Sequence, residues 1–264
     1  MADLPPFDYS ALDKPEISHR IFYPRAEWHL SAKSDASEIS IPVEEGIAIG
    51  ARFHIAAKNA PNILFFHGNG EIAADYDDLG PLYNRMGMNF LVADYRGYGR
   101  SGGDPTVSAM MGDCHKIYDF TRKWMSDNGC TGTFIVMGRS LGSASALELA
   151  STHEQQIDGL IIESGFALAE PLLRLLGVDV SGLNFVETKG FRNLDKIKEF
   201  RKPVLIIHAE YDHIIPYSDA LLFYEASPSR DKTLLKIPGA NHNDIFSRGL
   251  AEYMSAVKSF ANRL

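Results

Sequence analysis

Thr133-Phe134-Ile135-Val136-Met137-Gly138-Arg139-Ser140-Leu141-Gly142-Ser143-Ala144-Ser145-Ala146-Leu147 reads as a short apolar strand, a Gly-x-Ser-x-Gly turn and a helix of small residues. That order predicts a nucleophile elbow, a tight strand-to-helix turn that lifts one serine, Ser140, above the edge of a sheet. Such a turn drives the serine backbone toward positive φ, which a residue with a side chain tolerates poorly. Glycines flank the serine because side chains there would collide with the neighbouring strand and helix. A helix beginning at Ser140 also directs free amides and the positive end of its dipole at whatever reacts there.

Working outward, the same punctuation recurs. Residues 39–55 alternate and include Gly46 and Gly50, which predicts an antiparallel hairpin at a sheet edge. Apolar runs of strand length follow at 62–67, 90–95, 133–138, 159–163, 204–209 and 233–237. Runs that are apolar on both faces are the mark of buried parallel strands. Helical patterns fall between or after them at 76–86, 107–127, 141–152, 217–226 and 243–261. Alternating strands and helices imply a mostly parallel sheet covered by helices on both faces. The chain is thus expected to form a single α/β domain over 1–264, with about eight strands. One stretch, about 166–201, holds no strand; it reads as a small cap over the site, or else as a surface crossover with an apolar underside.

Composition narrows the function. Charged residues make up 23% of the 264, and the net charge of −8 argues against nucleic acid or anionic lipid as a partner. The start Met1-Ala2-Asp3-Leu4-Pro5-Pro6-Phe7-Asp8 has neither the basic nor the apolar region of a secretory leader, and no apolar run is long enough to span a membrane. Two cysteines, Cys114 and Cys130, suggest neither a disulfide framework nor a metal site, so a reducing cytoplasm is expected. No cofactor is implied.

In a sheet of this kind, chemistry gathers at the carboxyl ends of the strands. A serine nucleophile needs a base and a third group to orient that base. His242 follows the last strand in Gly-Ala-Asn-His-Asn-Asp, and Asp212 follows the one before it in Glu-Tyr-Asp-His-Ile-Ile-Pro. The rival acid is Glu163, which also ends a strand, and Asp212 could instead cap a helix near Pro216. His208 reads as a packed core residue and His213 as an exposed one. Oxyanion donors are expected from the amides of Leu141 and of Asn69, the latter in His67-Gly68-Asn69-Gly70. That loop lacks the spacing of a phosphate cradle. Asp94 and Arg96 are expected to tie the loop supporting the oxyanion side, and Arg139 to pack or pair with a carboxylate. Phe166, Leu172 and Leu176, with Leu168 and Leu173, are expected to meet an apolar part of the substrate.

These motifs resemble the α/β-hydrolase superfamily from about residue 62 to the end of the chain. His-Gly-Asn-Gly, Asp-Tyr-Arg-Gly-Tyr-Gly-x-Ser, Gly-Arg-Ser-Leu-Gly-Ser and Gly-Ala-Asn-His-Asn-Asp are similar to a branch containing bacterial hydrolases of unknown substrate and eukaryotic protein depalmitoylases. The resemblance implies an α/β-hydrolase fold and a serine hydrolase working through an acyl-enzyme, machinery that esterases, thioesterases, lipases, amidases and peptidases share; the apolar residues of 166–201 point to a small-molecule carboxylic ester or thioester as substrate. Two departures stand out. The depalmitoylases carry a cysteine-rich, lipid-modified N-terminus, whereas the N-terminal residues of this sequence include no cysteine, so membrane recruitment of that kind is not expected; and a serine nucleophile argues against dehalogenase, epoxide hydrolase and dienelactone hydrolase chemistry. An amide or small-peptide hydrolase, with Glu170 or Glu187 holding a substrate amine, is the alternative. A catalytically silent binding protein on the same fold is the reading from another class.

Overall fold

Apolar residues on both faces of a strand demand cover on both sides. In the computed structural model, which describes residues 7–28 and 36–264, the strands meet that demand within one eight-stranded sheet. The start at Met1, from which no secretory leader is expected, lies outside the described residues. The strands are β1 (Ser37–Glu44), β2 (Ile47–His54), β3 (Asn62–Phe66), β4 (Asn89–Ala93), β5 (Phe134–Arg139), β6 (Gly159–Glu163), β7 (Val204–Ala209) and β8 (Lys232–Ile237). Their spatial order is β1-β2-β4-β3-β5-β6-β7-β8. Strands β3 to β8 run parallel, and β2 is antiparallel to both of its neighbours. The hairpin read at 39–55 is therefore present, with β1 at the sheet edge.

Every residue of β3 to β7 is buried. Side chains of a strand alternate between faces. In β5, Phe134 and Val136 enter one core, whereas Ile135 and Met137 enter the other. Helices α3 (Val107–Asp127), α4 (Gly142–Thr152), α6 (Asn193–Lys198) and α7 (Tyr217–Ala226) close the first core, and α2 (Gly80–Arg85) and α8 (Ile245–Ala261) close the second. Two further short helices, α1 (Pro15–Ile21) and α5 (Ala169–Leu175), pack on each other beside the carboxyl ends of the strands.

The helix read at 76–86 is shorter than expected. Residues Ala73–Tyr76 form a 3-10 turn, and α2 begins only at Gly80, with Pro81 in its first turn. Proline lacks the amide that a helix interior needs, so the pattern restarts there. Within the stretch at 166–201, residues 168–176 have the pattern of a short amphipathic helix and form α5, while α6 lies in the part read as irregular chain. Much of its apolar content, including Phe166, Leu173, Phe191 and Ile197, is buried in the first core.

The elbow shows why two of its residues are glycines. A β-carbon on Gly142 would lie 2.1 Å from the carbonyl oxygen of Phe66, and one on Gly138 would lie 2.2 Å from that of Gly142. Both obstacles are backbone and cannot rotate away. Gly142→Ala is expected to cost about 1–3 kcal/mol, the usual range for overpacking, and thermal denaturation measures it. An unchanged melting temperature would contradict this account of the close approach.

Candidate active site

Strand β5 ends at Arg139, and the next residue turns sharply. Ser140 has φ 50°, one of four non-glycine residues with positive φ among those described. The strained conformation is fastened on both sides. The Ser140 amide donates to the Glu163 carbonyl at 2.9 Å, and the Ser143 hydroxyl donates to the Ser140 carbonyl at 2.6 Å. The hydroxyl of Ser140 is thereby aimed past the carboxyl end of the sheet.

Loops from two other strands reach it. The Nε2 atom of His242 lies 3.0 Å from Ser140 Oγ, and its Nδ1 lies 2.7 Å from Asp212 Oδ2. A carboxylate only accepts, so Nδ1 carries the hydrogen and Nε2 is left to accept from the serine hydroxyl. The other carboxylate oxygen of Asp212 accepts from the amides of Ile214 and Ile215 at 3.0 and 2.8 Å. Burial alone would push this carboxyl up; the hydrogen bond and charge of His242 and the two amides outweigh it and hold it below the ordinary range. Asp212 is thus an anion engaged at both oxygens, rather than a simple helix cap.

Glu163, the rival acid, points elsewhere. Its carboxylate accepts from Arg139 at 2.7 Å and from the Tyr253 hydroxyl at 2.7 Å. Arg139 is the centre of a buried knot. Its Nε donates to Glu71 Oε1 at 2.8 Å, and one terminal nitrogen donates to the His242 carbonyl at 2.8 Å. Glu71 in turn accepts from the Gly68 amide at 2.6 Å and from the Tyr76 hydroxyl at 2.7 Å. Burial would raise the Glu71 carboxyl, but the Arg139 charge and hydrogen bond bring it down to about 2. One guanidinium therefore fastens the loop after β3, the end of β6 and the backbone of His242.

The loop 67–70 is braced from below as well. His67 Nε2 lies 3.1 Å from Asp94 Oδ1 and its Nδ1 lies 2.8 Å from the Gly68 carbonyl. With an acceptor at each nitrogen, the ring holds two protons; burial would lower its pKa, but the Asp94 hydrogen bond and charge raise it above the ordinary value. Asp94 also accepts from the Ala73 amide at 2.8 Å. Asp94 thus supports this loop as expected. Arg96 does not: it pairs with Asp113 at 2.7 Å and Glu44 at 2.8 Å, toward α3 and β1.

A cavity of about 190 Å³ opens beside Ser140. Asn69, Leu141 and His242 line it together with Ser140, and Ile21, Leu172, Leu173, Leu176, Phe191 and Ile214 make most of the apolar wall. Neither the Asn69 nor the Leu141 amide has a hydrogen-bond partner within the described residues.

A family model described as "Serine aminopeptidase, S33" matches residues 57–178 and 188–248. The chain belongs to this family of α/β hydrolases. Among curated proteins, this hydrolase is 30% identical to human alpha/beta hydrolase domain-containing protein 17B over 256 residues, which is 90% of this chain and 80% of the relative. It is 31% identical to the 17C protein of Xenopus tropicalis, covering 89% and 74% of the two chains. Among solved structures, it is similar to Est1E of Butyrivibrio proteoclasticus bound to ferulic acid, with a TM-score of 0.72 at 22% identity over 85% of this chain and 98% of that one. An esterase from Pyrococcus furiosus gives 0.70 at 18% identity over 92% and 97%. At these identities the solved structures share the fold. No helix among the described residues of this hydrolase is long and apolar enough to cross a membrane.

Of the apolar residues expected to meet substrate, Leu172, Leu173 and Leu176 line the cavity. Phe166 does not: it lies behind Phe191, with their rings edge to face at 5.0 Å, and Phe191 presents the surface instead. Leu168 is likewise absent from the lining. Strand-end position alone could not reveal which apolar residue of the stretch is outermost. His208 is buried, with Nε2 2.8 Å from the Ile215 carbonyl, and His213 is exposed. Glu187 accepts the Ala169 and Glu170 amides at 2.8 and 2.9 Å, and Glu170 pairs with Arg174.

Proposed function

We propose that this α/β hydrolase cleaves carboxylic esters or thioesters through an acyl-enzyme on Ser140. The observation that carries this reading is the unbroken chain from Ser140 Oγ through His242 to Asp212 at 3.0 and 2.7 Å. Ser140 Oγ attacks the acyl carbonyl carbon while His242 Nε2 takes the hydroxyl proton. Asp212 holds the ring in the required tautomer and balances the imidazolium. The carbonyl oxygen becomes an oxyanion, which the amides of Asn69 and Leu141 receive. As the carbon–oxygen or carbon–sulfur bond breaks, His242 returns the proton to the departing alcohol or thiol. Water then adds to the acyl-enzyme with His242 again as base, releasing the carboxylic acid and restoring Ser140.

The apolar wall favours a hydrocarbon acyl group. The free thiols of Cys114 and Cys130 suit a reducing, cytoplasmic setting. The family description keeps the amide-hydrolase reading in view. Against it, Glu170 and Glu187 are engaged outside the cavity, and the cavity's own carboxylate, Glu71, already accepts from Arg139, Tyr76 and Gly68. Faster turnover of aminoacyl p-nitroanilides than of p-nitrophenyl esters would reverse the preference.

A fluorophosphonate probe tests the mechanism. The wild-type protein is expected to be labelled once, on Ser140, and Ser140→Ala not at all. Labelling that survives in the variant would refute the assignment; failure of the folded wild type to react with any activated ester or probe would favour a silent binding protein.

A further inference from the structure

We infer that residues 21–25, the last residue of α1 and the four that follow, are a working part of the active site: they position the loop bearing the Asn69 amide and close one wall of the acyl cavity. The inference rests on the hydrolytic reading above.

The loop has two glycines around Asn69, and Gly70 has φ 75°. Such a loop has little conformational preference of its own. An oxyanion donor must nevertheless be held close to its working position before the reaction begins. His67 and Glu71 brace the start of the loop, but its outer half lies beyond them. Here the N-terminal arm takes over. Phe22 is extended, at φ −102° and ψ 131°, and carries the chain away from α1 across the loop. The Tyr23 amide donates to Asn69 Oδ1 at 2.8 Å, and the Tyr98 hydroxyl donates to the same oxygen at 2.6 Å. Arg25 Nε donates to the Gly70 carbonyl at 3.1 Å, while its guanidinium also pairs with Asp75.

The arm itself is anchored. The Gly99 amide donates to the Arg25 carbonyl at 2.8 Å, and the Glu27 amide donates to the Gly99 carbonyl at 3.1 Å, a bridge to the loop after β4. Two residues before the first contact with the loop, Ile21 forms part of the cavity wall. The same short segment therefore touches both the reacting end of the cavity and its apolar side.

The arrangement explains the choice of asparagine at 69. The Tyr23 amide is shared between Asn69 Oδ1 and the Tyr98 hydroxyl oxygen, each at 2.8 Å, and the Tyr98 hydroxyl itself donates to Oδ1, so an acceptor at position 69 closes a three-membered contact. Aspartate would accept as well, but its charge would repel the forming oxyanion. Alanine would remove the side-chain half of the outer grip and leave only the Arg25 contact with the Gly70 carbonyl. Asn69 thus acts through its side chain as a positioning residue for its own backbone, and Tyr23 and Arg25 are positioning residues through the arm.

The test uses Asn69→Ala and Arg25→Met in the full chain. Asn69 is exposed and the Arg25 side chain is 41% exposed, so both variants are expected to fold. Each is compared with wild type for kcat and KM on a p-nitrophenyl ester, and for inhibition by a trifluoromethyl ketone and by the corresponding methyl ketone. The first ketone forms a stable tetrahedral oxyanion with the serine; the second mimics only the ground state. Asn69→Ala is expected to lower kcat by about ten- to a hundredfold, as misplacement of a catalytic group does, with KM nearly unchanged. Arg25→Met is expected to act in the same direction more weakly. Inhibition by the trifluoromethyl ketone should weaken by the same factor as kcat/KM, while methyl ketone inhibition stays put. Unchanged kcat in both variants would overturn the inference, as would equal weakening of the two ketones. Absence of esterase activity and probe labelling in the wild type would instead bring down the hydrolytic reading itself.

Discussion

Asp212→Asn is expected to lower kcat by about four orders of magnitude while leaving the fold intact, the scale seen when the acid of such a relay is made an amide. The hydrogen bonds around Asp212 dictate why. One carboxylate oxygen accepts from the Ile214 and Ile215 amides, and only an oxygen can keep those bonds. The asparagine oxygen therefore stays there, and its NH₂ group falls where Oδ2 faced His242 Nδ1 at 2.7 Å. Nδ1 must then accept, the ring proton moves to Nε2, and Nε2 can no longer take the proton of Ser140. Steady-state kinetics on an activated ester, with circular dichroism as the control for folding, measures the effect. A loss of less than tenfold would show that Asp212 does not govern the tautomer of His242.

Arg139→Met is expected to destabilise the protein by about 3–5 kcal/mol, the usual consequence of removing one partner from a buried ion pair. The variant strands Glu163, which is fully buried, and Glu71, whose side chain is 27% exposed. Denaturant unfolding measures the change. Arg139→Met combined with Glu163→Gln should recover part of the loss, because glutamine can still accept from Tyr253 without a charge to neutralise. The pH dependence carries the same signature. Glu71 titrates near 2 rather than at its ordinary 4.5, so its pairing stabilises the fold fully above about 4.5 and that contribution is lost as the pH falls toward 2. Without Arg139 the stabilising charge is gone and this acid-dependent contribution shrinks. Equal stability of the wild type and Arg139→Met would mean that the knot contributes nothing to folding.

Ser140, Asp212 and His242 were legible because each follows an apolar run of strand length, and topology brings such positions together at one rim. The core strands were legible for the same reason: burial on both faces leaves an uninterrupted apolar signature. Arg139 was recognisable only as a residue that packs or pairs with a carboxylate beside the serine; its partners Glu71 and Glu163 lie 68 and 24 residues away, and no local pattern joins them. Helix α1 escaped because seven residues give too little periodicity. Its end signals were present, however: Pro15 and Glu16 in the first turn, and His19 and Arg20 in the last. The restart at Gly80-Pro81 was equally readable, since proline excludes a continuous helix through it. Phe166 illustrates the opposite limit. Hydrophobicity placed it in the right stretch, but depth within that stretch depends on Phe191, 25 positions later, which sequence pattern does not reveal.

The apolar wall of the cavity comes from two kinds of residue. Leu173 and Phe191 are embedded in the core, whereas Leu172 and Leu176 remain half-buried on the stretch 166–201. Ile21 and Ile214, from outside that stretch, complete the wall. Under the proposed function, replacing the half-buried Leu172 or Leu176 would reshape the space for an acyl chain at less expense to folding than replacing the embedded Leu173 or Phe191.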